Sequence, residues 1–225
     1  MTLLALLGMA LFGSLGVWQL KRAEGKREII AKRAEAQKLP AVALSESPQA
    51  FQKVFIKGTP LPDTLYLDNQ FHQHQFGYHV ITPILLPNNQ VVLLNRGYIR
   101  GTHSREVLPE VPALKTEEVF EGTIYIPSKK AWVLGSGFEE RGANQAIIES
   151  YDFEVIQQFL HKSVYPFIMR QSTEAKDGLV REWVDVVMPP SRHMGYAFQW
   201  FALALVVLIV YIALNLKKLE EAPSS

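Results

Sequence analysis

Residues 191–218 read SRHMGYAFQWFALALVVLIVYIALNLKK. Within this stretch, residues 194–216 carry no charged side chain, and only one glutamine and one asparagine are strongly polar. A helix rises about 1.5 Å per residue, so a helix of this length spans a bilayer core of roughly 30 Å. Aromatic residues near the start and two lysines at the end are typical of a membrane-spanning helix. We therefore predict a transmembrane helix over residues 193–216, with a short tail at 217–225.

His193 lies at the start of this predicted helix. An ionisable side chain at the edge of a membrane span is a candidate functional residue. The alternative is that His193 only anchors the helix at the membrane surface, and the sequence leaves both interpretations open. Helical spacing places the histidine on one stripe with five other residues: Tyr196, Ala197, Trp200, Ala204 and Tyr211.

A second uncharged run covers residues 2–20 and is followed at once by Lys21 and Arg22. A cleaved signal peptide is the competing interpretation, but no basic residue precedes the run and no small-x-small cleavage motif ends it. We predict a retained transmembrane helix over residues 1–20. Residues 21–40 alternate cations and glutamates among alanines, which predicts a solvated helical stalk.

Composition limits the classes of protein that this chain can represent. The 225 residues leave room for two membrane spans and one domain with a hydrophobic core of its own. A formal net charge of +1, without a basic stripe interleaved with aromatics, argues against nucleic-acid binding. The absence of cysteine excludes a thiolate metal site and a thiol nucleophile.

The sequence pattern in the middle of the chain is typical of a β-rich domain. Short alternating runs are separated by turn residues, and residues 151–160 have helical spacing with Asp152 placed to cap a helix. A hairpin turn is predicted at residues 87–89. Residues 41–190 are therefore predicted to form a mainly antiparallel α+β domain, barrel-like or sandwich-like. The predicted strands are 53–57, 64–68, 78–86, 90–99, 119–126, 165–170 and 179–187.

Two places in this domain contain residue types that bind ligands. His72 and His74 would share one face of a strand and could chelate a metal, but no acidic or thiol residue at a suitable spacing completes a site. Arg96, with the following Gly97, offers either a planar fork for a carboxylate or a structural turn. The sequence contains no catalytic Gly-x-Ser-x-Gly, zinc-binding or phosphate-loop motif, so it does not indicate an enzyme.

Three short stretches of the chain together resemble the surfeit locus protein 1 family of cytochrome oxidase assembly factors. The first is LGVWQLKR at residues 15–22, and the second combines GYHVITP at 77–83 with NRGY at 95–98. The third lies in the last apolar run and comprises His193, Tyr196, Ala197, residues 199–201 and Ala204. Their order and the two-span layout extend the resemblance over the whole chain.

The resemblance implies an assembly factor for haem-copper cytochrome oxidases. Its partners would be oxidase subunit I, factors of haem a synthesis or assembly, and the membrane lipid. It implies a multi-pass protein of the bacterial inner membrane, with the mitochondrial inner membrane as the alternative. Residues 217–225 would then lie in the cytoplasm or matrix, and the 41–190 domain in the periplasm or intermembrane space.

Some bacterial members of the family bind haem a through the histidine of the second span, which is His193 here. Imidazole is a good axial ligand for haem iron. Arg192 would lie beside the membrane surface and could contact a haem propionate, while Tyr196 and Trp200 could face the macrocycle. The alternative function is a membrane-anchored scaffold that stabilises an oxidase assembly intermediate without binding haem. The same stripe would then pack against the first span or an oxidase subunit.

Overall fold

The computed structural model describes residues 1–102, 104–114, 118–127, 137–177, 179–184 and 186–220. The chain divides into a helical unit, Met1–Ala34 with Val184–Ser225, and a β-rich unit, Glu35–Trp183. The helices are α1 (Thr2–Lys38), α2 (Phe153–Leu160) and α3 (Pro190–Glu220). The strands are β1 (Val42–Ala43), β2 (Lys53–Pro60), β3 (Thr64–His72), β4 (Gln75–Leu85), β5 (Val91–Arg100), β6 (Glu118–Tyr125), β7 (Phe138–Glu140), β8 (Gln145–Ile148) and β9 (Val164–Gln171).

Helices α1 and α3 are long and apolar enough to cross a membrane, α3 over Pro190–Lys217. Only 11% of the apolar segment of α1 and 6% of that of α3 are buried within the protein. A core helix of a soluble protein would be mostly covered, so these exposed apolar surfaces suit contact with lipid. The predicted fold class, two membrane helices flanking a β-rich domain, is confirmed. Helix α1 continues without a break through the segment predicted as a stalk.

Within the helical unit, α1 and α3 lie antiparallel. The Tyr211 hydroxyl donates a hydrogen bond to Thr2 Oγ1 at 3.3 Å, near the end of α3 and the start of α1. Further along, the rings of Phe12 and Trp200 stack with centroids 5.9 Å apart. The stripe of α3 that contains Trp200 and Tyr211 therefore packs against the first span.

Two glycines of α1 face α3 closely. A Cβ atom on Gly8 would lie 3.7 Å from Val207, an ordinary contact, whereas a Cβ on Gly16 would lie 2.6 Å from the ring of Phe201. At the second distance the Phe201 ring would have to shift to admit a Cβ, so Gly16 allows the two helices to approach there without that shift. Among the described residues, none has an atom within 4 Å of a Cβ on Gly13, which lies off this contact.

The β-rich unit is built around a closed five-stranded barrel. Its strands follow the order β2-β6-β9-β5-β4, and the end of β4 returns to pair with the end of β2. This closing pair is short, with Thr59 opposite Leu85 and Pro60 opposite Ile84. Strands β3, β8 and β7 extend the sheet from β4, and β1 adds to β2. Closure pairs the outer strands of the five, which shortens the free edge that would otherwise invite pairing with other chains.

Two hydrophobic clusters lie on opposite faces of the barrel wall. The inner cluster draws side chains from all five barrel strands, including Phe120 and Phe167, and fills the barrel. The outer cluster joins β3, β4, β5, β8 and β9 to the apolar face of α2, which contributes Ile156 and Leu160. Strand β5 is buried on both faces over eight consecutive residues, Val91 to Tyr98, and is the centre of the domain.

Several local predictions agree with the structure. Asp152 caps α2 by accepting hydrogen bonds from the backbone N–H groups of Glu154 and Val155, and the β4–β5 hairpin turns through Asn88 and Asn89. The predicted strand over 179–187 is wrong. In the described part of that segment, only Val180 forms a bridge, opposite Tyr98 of β5. Strand β5 pairs with β9 only as far as Asn95, so a short open edge beyond it accepts one residue pair rather than a full strand.

Candidate functional site

The first candidate site is centred on His193, in the first turns of α3. The side chain is 6% exposed, unusually low for a polar residue on a helix whose other residues are largely exposed. Its Nδ1 atom lies 2.8 Å from Oε1 of Gln19 on α1, within the helical unit. Its Nε2 atom is buried and has no hydrogen-bond partner among the residues that the structure describes. A buried imidazole with one nitrogen hydrogen-bonded and the other unpartnered has the form of a metal-ligating histidine.

The other three predicted site residues lie differently around His193. Trp200 faces α1 and stacks on Phe12, so it lies on the same side of α3 as the histidine. Arg192 and Tyr196 are exposed, with 44% of Tyr196 accessible. Ala197, one turn beyond His193, is buried. The structure thus places His193, Ala197 and Trp200 on the contact side of α3, and it leaves Arg192 and Tyr196 at the protein surface.

A second group of polar residues lies in the β-rich unit, where residues 77–83 and 95–98 meet as paired parts of β4 and β5. Asn95 is the link. Its Oδ1 accepts from the Gly97 backbone N–H at 3.0 Å, and its Nδ2 lies 3.3 Å from His79 Nδ1 and donates to the Tyr151 hydroxyl at 3.1 Å. The two stretches that carry the family resemblance in the domain are therefore joined through one buried amide.

Aromatic rings and a guanidinium surround His79. The Arg170 guanidinium lies 3.9 Å above the Tyr125 ring, and the Trp183 ring meets His79 edge to face at 5.6 Å. Burial, with a smaller contribution from the Arg170 charge, lowers the pKa of His79 to about 4. Burial also raises the pKa of the Tyr151 phenol. His79 is therefore a neutral hydrogen-bonding residue at physiological pH.

Arg96 is held in a buried ion-pair network. Its Nε donates to Asp177 at 3.2 Å and its Nη2 donates to the Pro112 carbonyl at 2.7 Å. Asp177 also accepts from Arg181, which in turn donates to Gln171 at 3.0 Å. Burial alone would raise the pKa of Asp177, but the hydrogen bond and charge of Arg181, with the charge of Arg96, hold it below its ordinary value. The Arg96 guanidinium thus links the segments that contain Pro112 and Asp177 to strand β5 of the barrel.

The two histidines near the β3–β4 turn do not share a strand face, so that interpretation of the sequence is wrong. His72 ends β3, whereas His74 lies in the two-residue turn with φ of +63°. His72 Nδ1 lies instead 3.4 Å from Glu182. Within the residues that the structure describes, no group of three or more His, Cys, Asp or Glu side chains is arranged to hold a metal ion.

Comparison with known proteins identifies the family. The sequence model of the SURF1 family matches residues 6–205, which is most of the chain. The chain belongs to the SURF1 family. It is 25% identical to a SURF1-like protein of Rickettsia felis over 93% of this chain and 94% of that relative. A SURF1-like protein of Rickettsia bellii is 24% identical over 88% of this chain and 83% of the relative. The resemblance noted in the sequence is thereby confirmed.

Most of the partners around these sites in this SURF1 family member could not be predicted from its sequence. Gln19 belonged to a recognised stretch but had no assigned role, although a lone uncharged polar residue ending an apolar run is a usable signal. Four residues of the β-rich unit carried no local signal at all, because their importance comes from neighbours far away along the chain: Tyr151, Arg170, Asp177 and Arg181.

Proposed function

We propose that the protein is an assembly factor for a haem-copper cytochrome oxidase, and that it holds haem a transiently through His193 for insertion into subunit I. Membership of the SURF1 family, whose members are generally oxidase assembly factors rather than enzymes, supports the general role. The haem role rests on one observation, the unpartnered and buried Nε2 atom of His193. Such an atom is available to an iron ion without breaking an existing hydrogen bond.

Haem supplies redox and oxygen chemistry to the oxidase, whereas this chain contributes binding and orientation. His193 would hold the haem iron through Nε2, while Gln19 contacts the opposite ring nitrogen. Arg192, exposed at the start of α3, suits a propionate at the membrane surface. Trp200 and Tyr196 provide aromatic surface on the following turns, with Tyr196 the more exposed of the two.

The proposal includes a location. Two apolar helices support anchoring in a membrane. We assign the protein to the bacterial inner membrane, with the mitochondrial inner membrane as the alternative, and the β-rich unit to the periplasmic or intermembrane-space side. On that side the unit would meet oxidase subunit I and the factors that synthesise or deliver haem a.

The test is the haem content of full-length protein purified in detergent from a host that makes haem a. Wild-type protein should carry haem a with a defined Soret band. His193→Ala should lose it while still inserting, because insertion depends on the apolar run beyond residue 193. His193→Met should retain part of it, since a thioether also ligates haem iron. His74→Ala, which changes an exposed turn histidine, is the matched control and should behave as wild type.

One observation favours a second function. The Nε2 atom of His193 is enclosed, so an iron ion can reach it only after the groups that cover it move. A scaffold that packs this stripe permanently and stabilises an oxidase intermediate would need no such movement. Wild-type protein that lacks haem but co-purifies with oxidase subunits would contradict haem binding and support the scaffold.

A further inference from the structure

The hydrogen bond between Gln19 and His193 joins the two membrane helices across 174 positions of sequence. The Gln19 oxygen Oε1 is the atom that faces Nδ1 of the ring, at 2.8 Å. The roles of the two atoms depend on the tautomer of the ring. With the amide oxygen in this position the amide can only accept, so Nδ1 donates and carries the proton. In a neutral imidazole with Nδ1 protonated, Nε2 has a free lone pair.

The opposite tautomer fits the structure less well. A proton on Nε2 would leave a buried N–H donor without an acceptor, because no group in the described part of the chain hydrogen-bonds to Nε2. Buried donors without a hydrogen bond are rarer in proteins than buried acceptors without one. A donor that loses its water and gains no acceptor is destabilised by the full desolvation penalty. It would also place the lone pair of Nδ1 against that of the Gln19 oxygen. Both arguments select the tautomer in which Nε2 is bare.

We propose that Gln19 is a positioning residue that fixes the tautomer and ring orientation of His193 so that Nε2 is the ligating atom. This inference rests on the proposed haem-binding function and assigns the residue that prepares the ligand. A hydrogen bond from the remote nitrogen of a ligating histidine also makes the imidazole a stronger donor to the metal. Gln19 therefore tunes the iron–histidine bond without touching the haem.

The neighbouring turns explain how a glutamine on another helix reaches the ring. Gly16 precedes Gln19 by three residues on α1 and lies against the Phe201 ring, 2.6 Å from where a Cβ would be. On α3, the buried residue one turn beyond His193 is the small Ala197. Small residues at both places bring the helix backbones together, which holds the Gln19 amide at hydrogen-bond distance.

The first test reads the tautomer directly in haem-free protein. Full-length protein labelled with ¹⁵N-histidine, at mildly alkaline pH where histidine is ordinarily neutral, distinguishes a protonated from a bare ring nitrogen by chemical shift. The His193 signals are assigned from their loss in His193→Ala. Wild type should show Nδ1 protonated and Nε2 bare, and Gln19→Leu should shift the population toward protonated Nε2. A wild-type ring protonated at Nε2, or an unchanged ring in Gln19→Leu, would overturn the proposal.

The second test reads haem binding by titrating haem-free protein with haem a. Gln19→Leu should weaken binding by about ten- to a hundred-fold and shift the Soret band, as loss of an outer partner of a metal ligand does. Gln19→Glu, which keeps an oxygen acceptor, should restore binding. Equal affinity in wild type and Gln19→Leu would refute the positioning role. Wild-type protein that binds no haem a but has Nδ1 protonated would refute the proposed function and leave the tautomer assignment standing.

Discussion

His79 is a buried histidine whose charged form is disfavoured by its surroundings. Its pKa is about 4 in the folded protein, because of burial and then the Arg170 charge, against about 6.5 in an unfolded chain. The unfolded chain therefore binds the proton more tightly. The stabilisation from this group is fully present above a pH of about 6.5 and is lost as pH falls toward 4, by roughly 3 kcal/mol in all.

Urea unfolding of the detergent-solubilised protein, followed by the β-sheet signal in circular dichroism, measures this dependence. Wild type should lose stability between neutral pH and a pH of about 4.5. His79→Gln removes the titrating group and should lose less over the same range, because only the shared carboxylates then contribute. Equal losses in the two proteins would assign the dependence to other groups.

Gly97 is required by both its backbone conformation and its surroundings. Its φ is +119°, and a Cβ would lie 2.5 Å from the Val180 carbonyl oxygen. Gly97→Ala should therefore destabilise the domain by more than the 1–3 kcal/mol typical of backbone strain alone. Gly142→Ala is the matched control, since Gly142 also has positive φ, +80°, but has open space around a Cβ. Similar unfolding midpoints for the two variants would show that the contact with Val180 is unimportant.

At the scale of elements, we expect the antiparallel pairing of α1 and α3 to depend on Gly8 and Gly16, the two glycines of α1 that face α3. The native chain has no cysteine, so engineered pairs can be cross-linked without background. Gly8→Cys with Val207→Cys should form a disulfide on mild oxidation in membranes. A Cβ on Gly8 would lie 3.7 Å from the Cγ1 atom of Val207, which a cysteine sulfur can replace. Gly13→Cys with Val207→Cys should not, since Gly13 lies away from α3.

Adding Gly16→Leu to the Gly8–Val207 cysteine pair should lower the cross-linking yield, because the leucine displaces the Phe201 ring from this contact. Adding Gln19→Leu should leave the yield unchanged, since that change removes a hydrogen bond but no close contact. The second result would separate the positioning role of Gln19 from helix packing. An unchanged yield with Gly16→Leu would mean that the helices do not depend on this approach.

At the scale of the molecule, the side of the membrane on which the β-rich unit lies is a prediction from family membership. The charges next to the first span argue for the opposite orientation, since basic residues usually stay in the cytoplasm. That rule is weakest for long connections such as the one between these two spans. The basic residues concerned are Lys21, Arg22, Lys26, Arg27, Lys32 and Arg33.

Alkaline phosphatase, which is active only outside the cytoplasm, reports this orientation. Fused after Gly101, within the β-rich unit, it should be active in a bacterial host. Fused after Ser225 it should be inactive, because an even number of spans returns the chain to the cytoplasm. Activity of a cytoplasmic reporter after Gly101 would show that the charges, and not the family layout, set the orientation.

The sequence alone determined the features that a few neighbouring residues control. The two apolar runs predict membrane helices by length and composition, Asp152 predicts the start of α2, and Asn88 with Asn89 predicts a hairpin turn. Each of these depends on local backbone preference or on burial of one continuous segment. His193 could also be singled out, because an ionisable residue at the end of an apolar run stands out without any knowledge of its surroundings.

Only the tertiary structure decided what these elements contact. Three long-range contacts have no signature in the neighbouring sequence. They are the closure of the barrel by Pro60 and Ile84, the pairing of Arg96 with Asp177 across 81 positions, and the contact of Gln19 with His193. Bringing distant segments together costs chain entropy that only the packing of the whole core repays. The same balance explains why residues 179–187 alternate like a strand although, of the residues described there, only Val180 forms a bridge. The short open edge of β5 beyond Asn95 leaves room for that one pair.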